Sequence, residues 1–538
     1  MELWLIALAT LVTVGRIWLL IGLAILSGWG LAYLCIRSRS FENAFVPVVN
    51  VLESIPVLAF LPIVLVIFVS GIGGPGGVEV AVDFLVFDAV AWNIWIGAYQ
   101  SFKTVPENLF EVGENYRLGR ARMLWHLYIP HSIPRISSNL LSSFADAFFY
   151  ISVSEVFAVG IHTYATFGIG TLITGFLASA NYPDLAWALL FIGVAVVLVS
   201  LALTEFARYS VAKYGVDTPE EIARRAGWGR RVEGWRRVLG APGRRVSSRM
   251  TRSQLAAMAK EDSGRPAPRH RAGWWVGIGV LLLLGVAILY GSVEVVRSVP
   301  WTEWRSLFAE TPFLLYSMGV DYLRVGIVTG AALLLSVTLG YFLATRRRVG
   351  RVVVPVLQVV ASYPVPTYFP LVFAATFSFL SAAVPWGYED IYIFLLAFLS
   401  CFYYLFFDFW IGVQAIPAEF WEVMDNHELG FFTRMRRVIL PATFPYIVTG
   451  VSSTVNSCWA GLEIGEYWPN IAGNHSLIAG VGMMKYIGLN LALGNVANAA
   501  WVSLLFGIVV LVYGLLFTRN LMDLARRKYV VEEGVYAA

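Results

Sequence analysis

Two pairs of carboxylates recur at one interval in this 538-residue chain. Glu111 is followed by Glu422 and Glu155 by Glu466 (422 − 111 = 311; 466 − 155 = 311). The first pair opens short polar loops, where a carboxylate at the start of a helix favours its positive end. That is chemistry for docking, not for catalysis. The second pair lies in apolar segments, where an acidic residue is costly and calls for a function. Two readings stand for it: gate residues flanking a central path, or groups near the outer ends of their spans that are solvated or hydrogen-bonded for packing. Glu463 lies one turn before Glu466 and matches Ser152. Glu53 has no acidic counterpart, and Asp146 is open to the same two readings. Ser54, Ser362 and Tyr363, beside Pro56 and Pro364, are candidates for polar lining of a path.

Motifs for other chemistry are missing. No Gly-x-x-x-x-Gly-Lys-Ser/Thr occurs, and the glycine-rich stretch from Gly71 to Gly77 has no lysine, so ATP hydrolysis is not encoded here. The six histidines form no ligand spacing, and the three cysteines are too scattered for a metal site or a disulfide framework. No catalytic residue, metal or cofactor is expected.

The elements that must position these residues are membrane helices. Hydrophobic residues make up 58% of the chain and charged residues 14%, against roughly 25% charged in soluble domains. Apolar runs reach the length of about 20 residues that spans a bilayer, and backbone in lipid must pair internally, which makes them helices. The expected spans are 10–36, 46–70, 82–101, 138–160 and 183–207, then 273–291, 315–345, 353–380, 390–414, 446–466 and 494–518. The fold is thus all-α and polytopic. The first stretch is too long for a cleaved signal peptide and reads as a retained helix. Trp301 and Trp304 suggest an interfacial segment.

Arg and Lys set the orientation. Arg37, Arg39, Arg117, Arg120, Arg122, Arg135, Arg346 to Arg348, Arg351, Arg434, Arg436, Arg437 and Arg526 to Lys528 can all be cytoplasmic if the N-terminus is outside. The C-terminus is then cytoplasmic. The span at 273–291 restores the orientation of the first half, so the repeat is parallel. The arginine-rich segment 209–272 reads as a linker that anchors topology and touches anionic lipid, with no nucleic acid implied. The expected domains are 1–208, the linker 209–272, the additional helix 273–291, and 292–538.

The repeat runs beyond the carboxylates. Glu111-Val112, Asn115, Leu118-Gly119, Ile129-Pro130 and Pro134 return as Glu422-Val423, Asn426, Leu429-Gly430, Leu440-Pro441 and Pro445. Arg16 returns as Arg324, and Ser54-Ile55-Pro56-Val57 as Ser362-Tyr363-Pro364-Val365, at an interval of 308 (324 − 16 = 308).

At these residues the chain resembles the permease subunit of a type I ATP-binding-cassette importer. The family pattern is Glu-Ala-Ala, three residues, Gly, nine residues, Ile-x-Leu-Pro; the Glu-to-Pro spacing is kept twice. The Ser-x-Pro-Val segments resemble the nitrate, sulfonate and taurine branch. The resemblance implies two fused five-helix core repeats among about 11 spans, in a prokaryotic cell membrane. It implies that 107–119 and 418–430 are coupling helices, with Glu111, Val112, Gly119, Pro130, Glu422, Val423, Gly430 and Pro441 as their marks. Two ATP-binding cassette subunits or domains and an extracytoplasmic solute-binding protein are the implied partners, and small anions such as nitrate, sulfonate or taurine the implied solutes. There are departures: Val112-Gly113 and Val423-Met424 replace the alanines, and Arg117 and Glu428 replace the glycine. Gly119 and Gly430 follow two residues later, which predicts a shifted turn. A fused iron(III) or thiamine permease is the nearest alternative. An ATP-independent secondary transporter is the alternative from a different class, against which the parallel parity and the twin loops weigh.

Overall fold

The computed structural model describes residues 3–53, 55, 57–159, 162–214, 297, 300–472 and 475–514. The expected helix 273–291, most of the basic linker, Ser54 and Pro56 lie outside the described residues. The linker's first residues, 209–214, continue the helix Tyr182–Tyr214.

Seven described helices are long and apolar enough to cross a membrane: Leu3–Arg37, Gly74–Lys103, Tyr182–Val211, Trp301–Thr345, Val365–Ala383, Tyr388–Gln414 and Phe431–Gly465. Ile129–Ser154, which overlaps the expected span 138–160, carries too many polar residues to join them, and Val496–Tyr513 is shorter. The Trp301 segment is no separate interfacial piece. It forms the start of a 45-residue helix of roughly 65 Å, about twice the apolar core of a bilayer. Trp304 there packs edge-on against Trp501, beside Phe308.

The expected spans 46–70 and 353–380 are each interrupted. Helix Arg39–Glu53 precedes a 3₁₀ turn at Val57–Phe60, a short helix Leu61–Val64 and a π-helical stretch Leu65–Ser70. Arg347–Ala361 precedes Val365–Ala383. Proline disfavours helical backbone at the residue before it, so the chain breaks at Tyr363-Pro364, and Pro364 is extended (ψ 114°). The helix Arg347–Ala361 leaves Val349, Val352, Val356 and Val360 exposed along one stripe, a face suited to lying in the membrane interface.

Repeated elements keep their lengths. Arg39–Glu53 and Arg347–Ala361 have 15 residues each, Ile129–Ser154 and Leu440–Gly465 have 26, and Ile169–Ala178 and Met483–Ala492 have 10. Two small hairpins, Val156–Val159 with His162–Ala165 and Tyr467–Ala472 with His475–Ile478, amend the all-helical expectation.

The halves meet reciprocally. Tyr363 packs on Gly193 and donates its hydroxyl to the Leu189 carbonyl at 2.7 Å, while Ile55, its counterpart, packs on Gly507. One apolar cluster joins Val57, Leu61, Val82 and Phe157 to Phe369, Tyr392, Trp459 and Phe506.

Within the second half, Tyr388–Gln414 and Leu440–Gly465 approach closely at small residues. A Cβ on Gly461 would lie 2.6 Å from the Ala397 Cα, and one on Gly450 would lie 3.0 Å from the Leu405 Cα. Such glycines let helices approach in lipid. Gly461→Leu is expected to cost about 1–3 kcal/mol or more by overpacking, read as a lower melting temperature in detergent. The same change at Gly326, which has open space, is expected to leave it near the parent.

Candidate functional site

Three features combine charge, geometry and repetition: two short exposed helices, two buried ion-pair hubs, and a cavity between the halves.

The short helices are Glu107–Asn115 and Ala418–Asn426, nine residues each. Both follow the ends of long helices that share the side of Arg37 and Arg346. Each turns one residue inward. Gly113 is buried beneath Met123, and a Cβ there would lie 2.5 Å from its Sδ. In the second copy Met424 is itself fully buried. Arg434 takes the place of Met123, donating from Nε to the Leu429 carbonyl at 2.6 Å and pairing with Asp425 at 2.8 Å. Glu111, Val112, Glu422 and Val423 are exposed, and Phe420 and Phe432 add apolar surface.

The shifted turn is not observed. Left-handed backbone falls at Arg117 (φ 48°) and Glu428 (φ 47°), the positions where the family pattern has glycine. Gly119 and Gly430 are extended (φ −61° and −66°), a conformation any residue adopts. A π-helical stretch follows in each copy, Leu124–Tyr128 and Met435–Ile439. Pro130 and Pro441 then stand at the second position of the next helix. Their missing N–H groups and the rings of Pro134 and Pro445 disturb the regular ladder, and the wider turn accommodates this. Nearby, Glu42 lies outside the spanning segments; Lys103 and the Tyr99 hydroxyl, at the end of Gly74–Lys103, hydrogen-bond it and hold its carboxyl below the usual range.

The hubs lie at the opposite end of the long helices. Arg16 pairs with Glu79 at 2.5 Å, Asp83 at 3.3 Å and Glu155 at 3.8 Å. Arg324 pairs with Asp390 at 2.8 Å, Glu466 at 3.0 Å and Asp321 at 3.2 Å. Glu155 and Glu466 have no exposed surface. Each receives a backbone N–H from the first turn of the next short helix: Gly170 at 2.6 Å, Lys485 at 3.1 Å. Thr13 accepts from the Ile169 N–H at 3.0 Å, and Asp321, its counterpart, from the Met483 N–H at 2.7 Å. Gly168 and Gly482 are extended, but a Cβ on either would collide with the carboxylate.

The cavity, about 1730 Å³, opens between the halves and is lined from both. Asp146 sits within it, accepting from Tyr404 Oη at 2.5 Å and Asn93 Nδ2 at 3.4 Å. Asn93 and Tyr404 are 311 residues apart, as are Asp146 and Ser457, so this cluster straddles the pseudo-twofold axis. Trp421, Asp425 and Arg434 of the second loop also line it.

Of the residues singled out from the sequence, Ser362, Tyr363 and Pro364 line the cavity and Glu155, Glu463 and Glu466 are not among its lining residues. Glu463 is buried above Ala460 on the same helix. Sequence reasoning missed the Asn93–Asp146–Tyr404 cluster and the partners of Arg16 and Arg324. The recurrence of Glu79 as Asp390 at the interval of 311 was the available signal.

Arg324→Leu leaves Asp321 and Glu466 without their cation and is expected to cost about 3–5 kcal/mol, seen as loss of the folded peak in size-exclusion chromatography. Gly482→Ala, which displaces the Glu466 carboxylate, is expected to lower the melting temperature as well. At the loops, Arg117→Gly and Glu428→Gly remove a left-handed strain of about 1 kcal/mol each and are expected to raise, not lower, thermal stability in detergent.

Comparison with known proteins fits this duplication. Residues 21–215 and 336–530 match the family described as binding-protein-dependent transport system inner membrane component. The nitrate import permease protein NrtB of Synechocystis sp. is 25% identical over 182 residues, 34% of this chain and 60% of the relative. The bicarbonate transport system permease protein CmpB of the same organism is 24% identical over 184 residues, 34% and 61%. The taurine transport system permease protein TauC of Escherichia coli is 24% identical over 190 residues, 35% and 62%. The chain thus spans about 60% of the length of the relatives it matches.

Proposed function

From the premise that this chain belongs to the family of binding-protein-dependent transport system inner membrane components, we propose that it is the membrane part of an ATP-driven importer. Two permease units are fused in it, with cores in 1–208 and 292–538, joined through the basic linker 209–272 and a helix at 273–291. The chain has no catalytic motif of its own; ATP is hydrolysed by two separate ATP-binding subunits or domains, and an extracytoplasmic binding protein delivers the solute. The N-terminus is outside and the C-terminus cytoplasmic, which sets every arginine-rich helix end inward.

The observation that carries this reading is the twin exposed helix. Glu107–Asn115 and Ala418–Asn426 have equal length, equal spacing and the same side of the bundle. Each presents Glu and Val outward while Gly113 or Met424 packs inward. A helix seated on its own protein by one residue, with an acidic and apolar outer face, suits a groove in a partner. Each is joined by a short turn to a helix that lines the cavity, so a push on it reaches the path directly. Glu111, Val112, Glu422 and Val423 then touch the ATPases, while the turns at Gly119 and Gly430 and the prolines Pro130 and Pro441 join these helices to the spans. Ser362, Tyr363 and Pro364 line the path. Nitrate and bicarbonate, the solutes named for two relatives, would extend to a small anion here; the lining of the cavity favours another class.

The test is capture of an ATP-binding subunit by the tagged chain. The parent is expected to retain it, and the doubly changed Glu111→Arg, Glu422→Arg chain, still monodisperse, to lose it. A well-folded parent that never holds an ATPase yet moves solute into vesicles without ATP would overturn the reading in favour of a secondary transporter.

A further inference from the structure

The cavity is lined by three arginines: Arg208 near the end of its helix and Arg351 in the second turn of its helix, both exposed, and Arg434 in the second loop. Two are already paired, Arg208 with Glu205 at 2.8 Å and Arg434 with Asp425 at 2.8 Å. The other charged lining residues are Glu53, Asp146 and Asp408. Among the described residues, no Lys or Arg pairs with any of these three. Asp408 lines the cavity with no hydrogen-bond or ion-pair partner among the described residues. Asp146 is held in place by Tyr404 and Asn93.

Aromatic residues share the lining with these carboxylates. Trp92 and Tyr403, counterparts in the repeat, line the cavity one residue before Asn93 and Tyr404. Phe149 and Tyr150 line it one turn beyond Asp146. Carboxylates with electron-rich rings attract an organic cation, by charge and by cation–π contact. A desolvated anion beside the same carboxylates would meet repulsion that a low-dielectric site strengthens.

Resting on the permease reading above, the geometry points to a solute that carries a protonated or quaternary nitrogen on a flat or aromatic body, with Asp146 as its counter-charge. The repeat supplies the carboxylate on one side only, since Asp146 is answered by Ser457. Tyr404 and Asn93, at related positions in the two halves, fix the carboxylate that receives the cation.

Three probes of one shape separate the classes: benzyltrimethylammonium, benzenesulfonate and benzyl alcohol. Each is titrated into the full chain in detergent, following quenching of tryptophan fluorescence. Trp92, Trp410 and Trp421 line the cavity and report on it. The cation is expected to saturate, and Asp146→Asn to weaken it by at least about tenfold, while Asp146→Glu keeps most of the affinity. Tyr404→Phe, which removes one hydrogen bond to Asp146, is expected to fall between. Saturation by benzenesulfonate without the cation, equal binding of all three, no saturation by any, or a cation response unchanged in Asp146→Asn would each overturn the assignment. Capture of the ATP-binding subunit is measured on the same preparations. Capture without cation binding removes the solute class alone; cation binding without capture removes the permease reading alone.

Discussion

An arginine inside an apolar helix has to be matched by carboxylates, and much of this molecule is arranged around that requirement. Arg16 and Arg324 each lie on a long helix and each gather three acidic groups. Glu79 and Asp83 share one helix and Asp321 lies on the helix of Arg324 itself, so each guanidinium ties its own helix to two others. Glu155 and Glu466 end the helices that follow the exposed loops, and each also receives an N–H from a short helix beyond its hairpin. A buried pair costs desolvation and is sustained only by good geometry with further hydrogen bonds. Here the helix N-termini supply those bonds, and Gly168 and Gly482 leave room for the carboxylates. The result is a fixed end opposite the loops.

Around that fixed end the two halves have diverged by reciprocal exchange. Gly97 faces Asn139 in the first half; their counterparts are Asp408 and Gly450, with the glycine on the other helix. Gly113 beneath Met123 becomes Met424 beside Arg434. In the first case bulk lost on one side of the contact is regained on the other, as close packing demands. In the second, bulk is gained at Met424 and the larger Arg434 turns to the Leu429 and Met424 carbonyls.

The exchange of Gly97 for Asp408 also changes the cavity, since it places a carboxylate on one side only. Asn93, Tyr404, Asp146 and Ser457 occupy related positions but differ in charge and size. A pseudo-symmetric shell thus encloses an asymmetric lining. The two loops keep the same form, while the cavity presents a surface with one orientation. The cavity reaches the second loop at Trp421, Asp425 and Arg434, which connects the loop side to the interior within a single helix-turn-helix.

Much of the organisation was legible in the residues. Hydropathy marks most of the membrane helices because lipid leaves the backbone no other way to pair, and the intervals of 308 and 311 reveal the duplication with its loops. Local chemistry was less reliable. Gly119 and Gly430 suggested a shifted turn, yet left-handed backbone falls on Arg117 and Glu428, because the helix-turn-helix geometry overrides residue preference by only about 1 kcal/mol per residue. Prolines announced that 46–70 and 353–380 would bend, not that each would split into an interfacial helix and a shorter segment. The interval of 311 pairs Glu79 with Asp390 and Glu155 with Glu466, but it does not say which groups those acids meet. Glu155 and Asp146 are both acids in the same helical stretch, nine residues apart (155 − 146 = 9). Whether such a group meets an arginine or a cavity depends on which helices pack beside it, and that packing exists only in the tertiary structure.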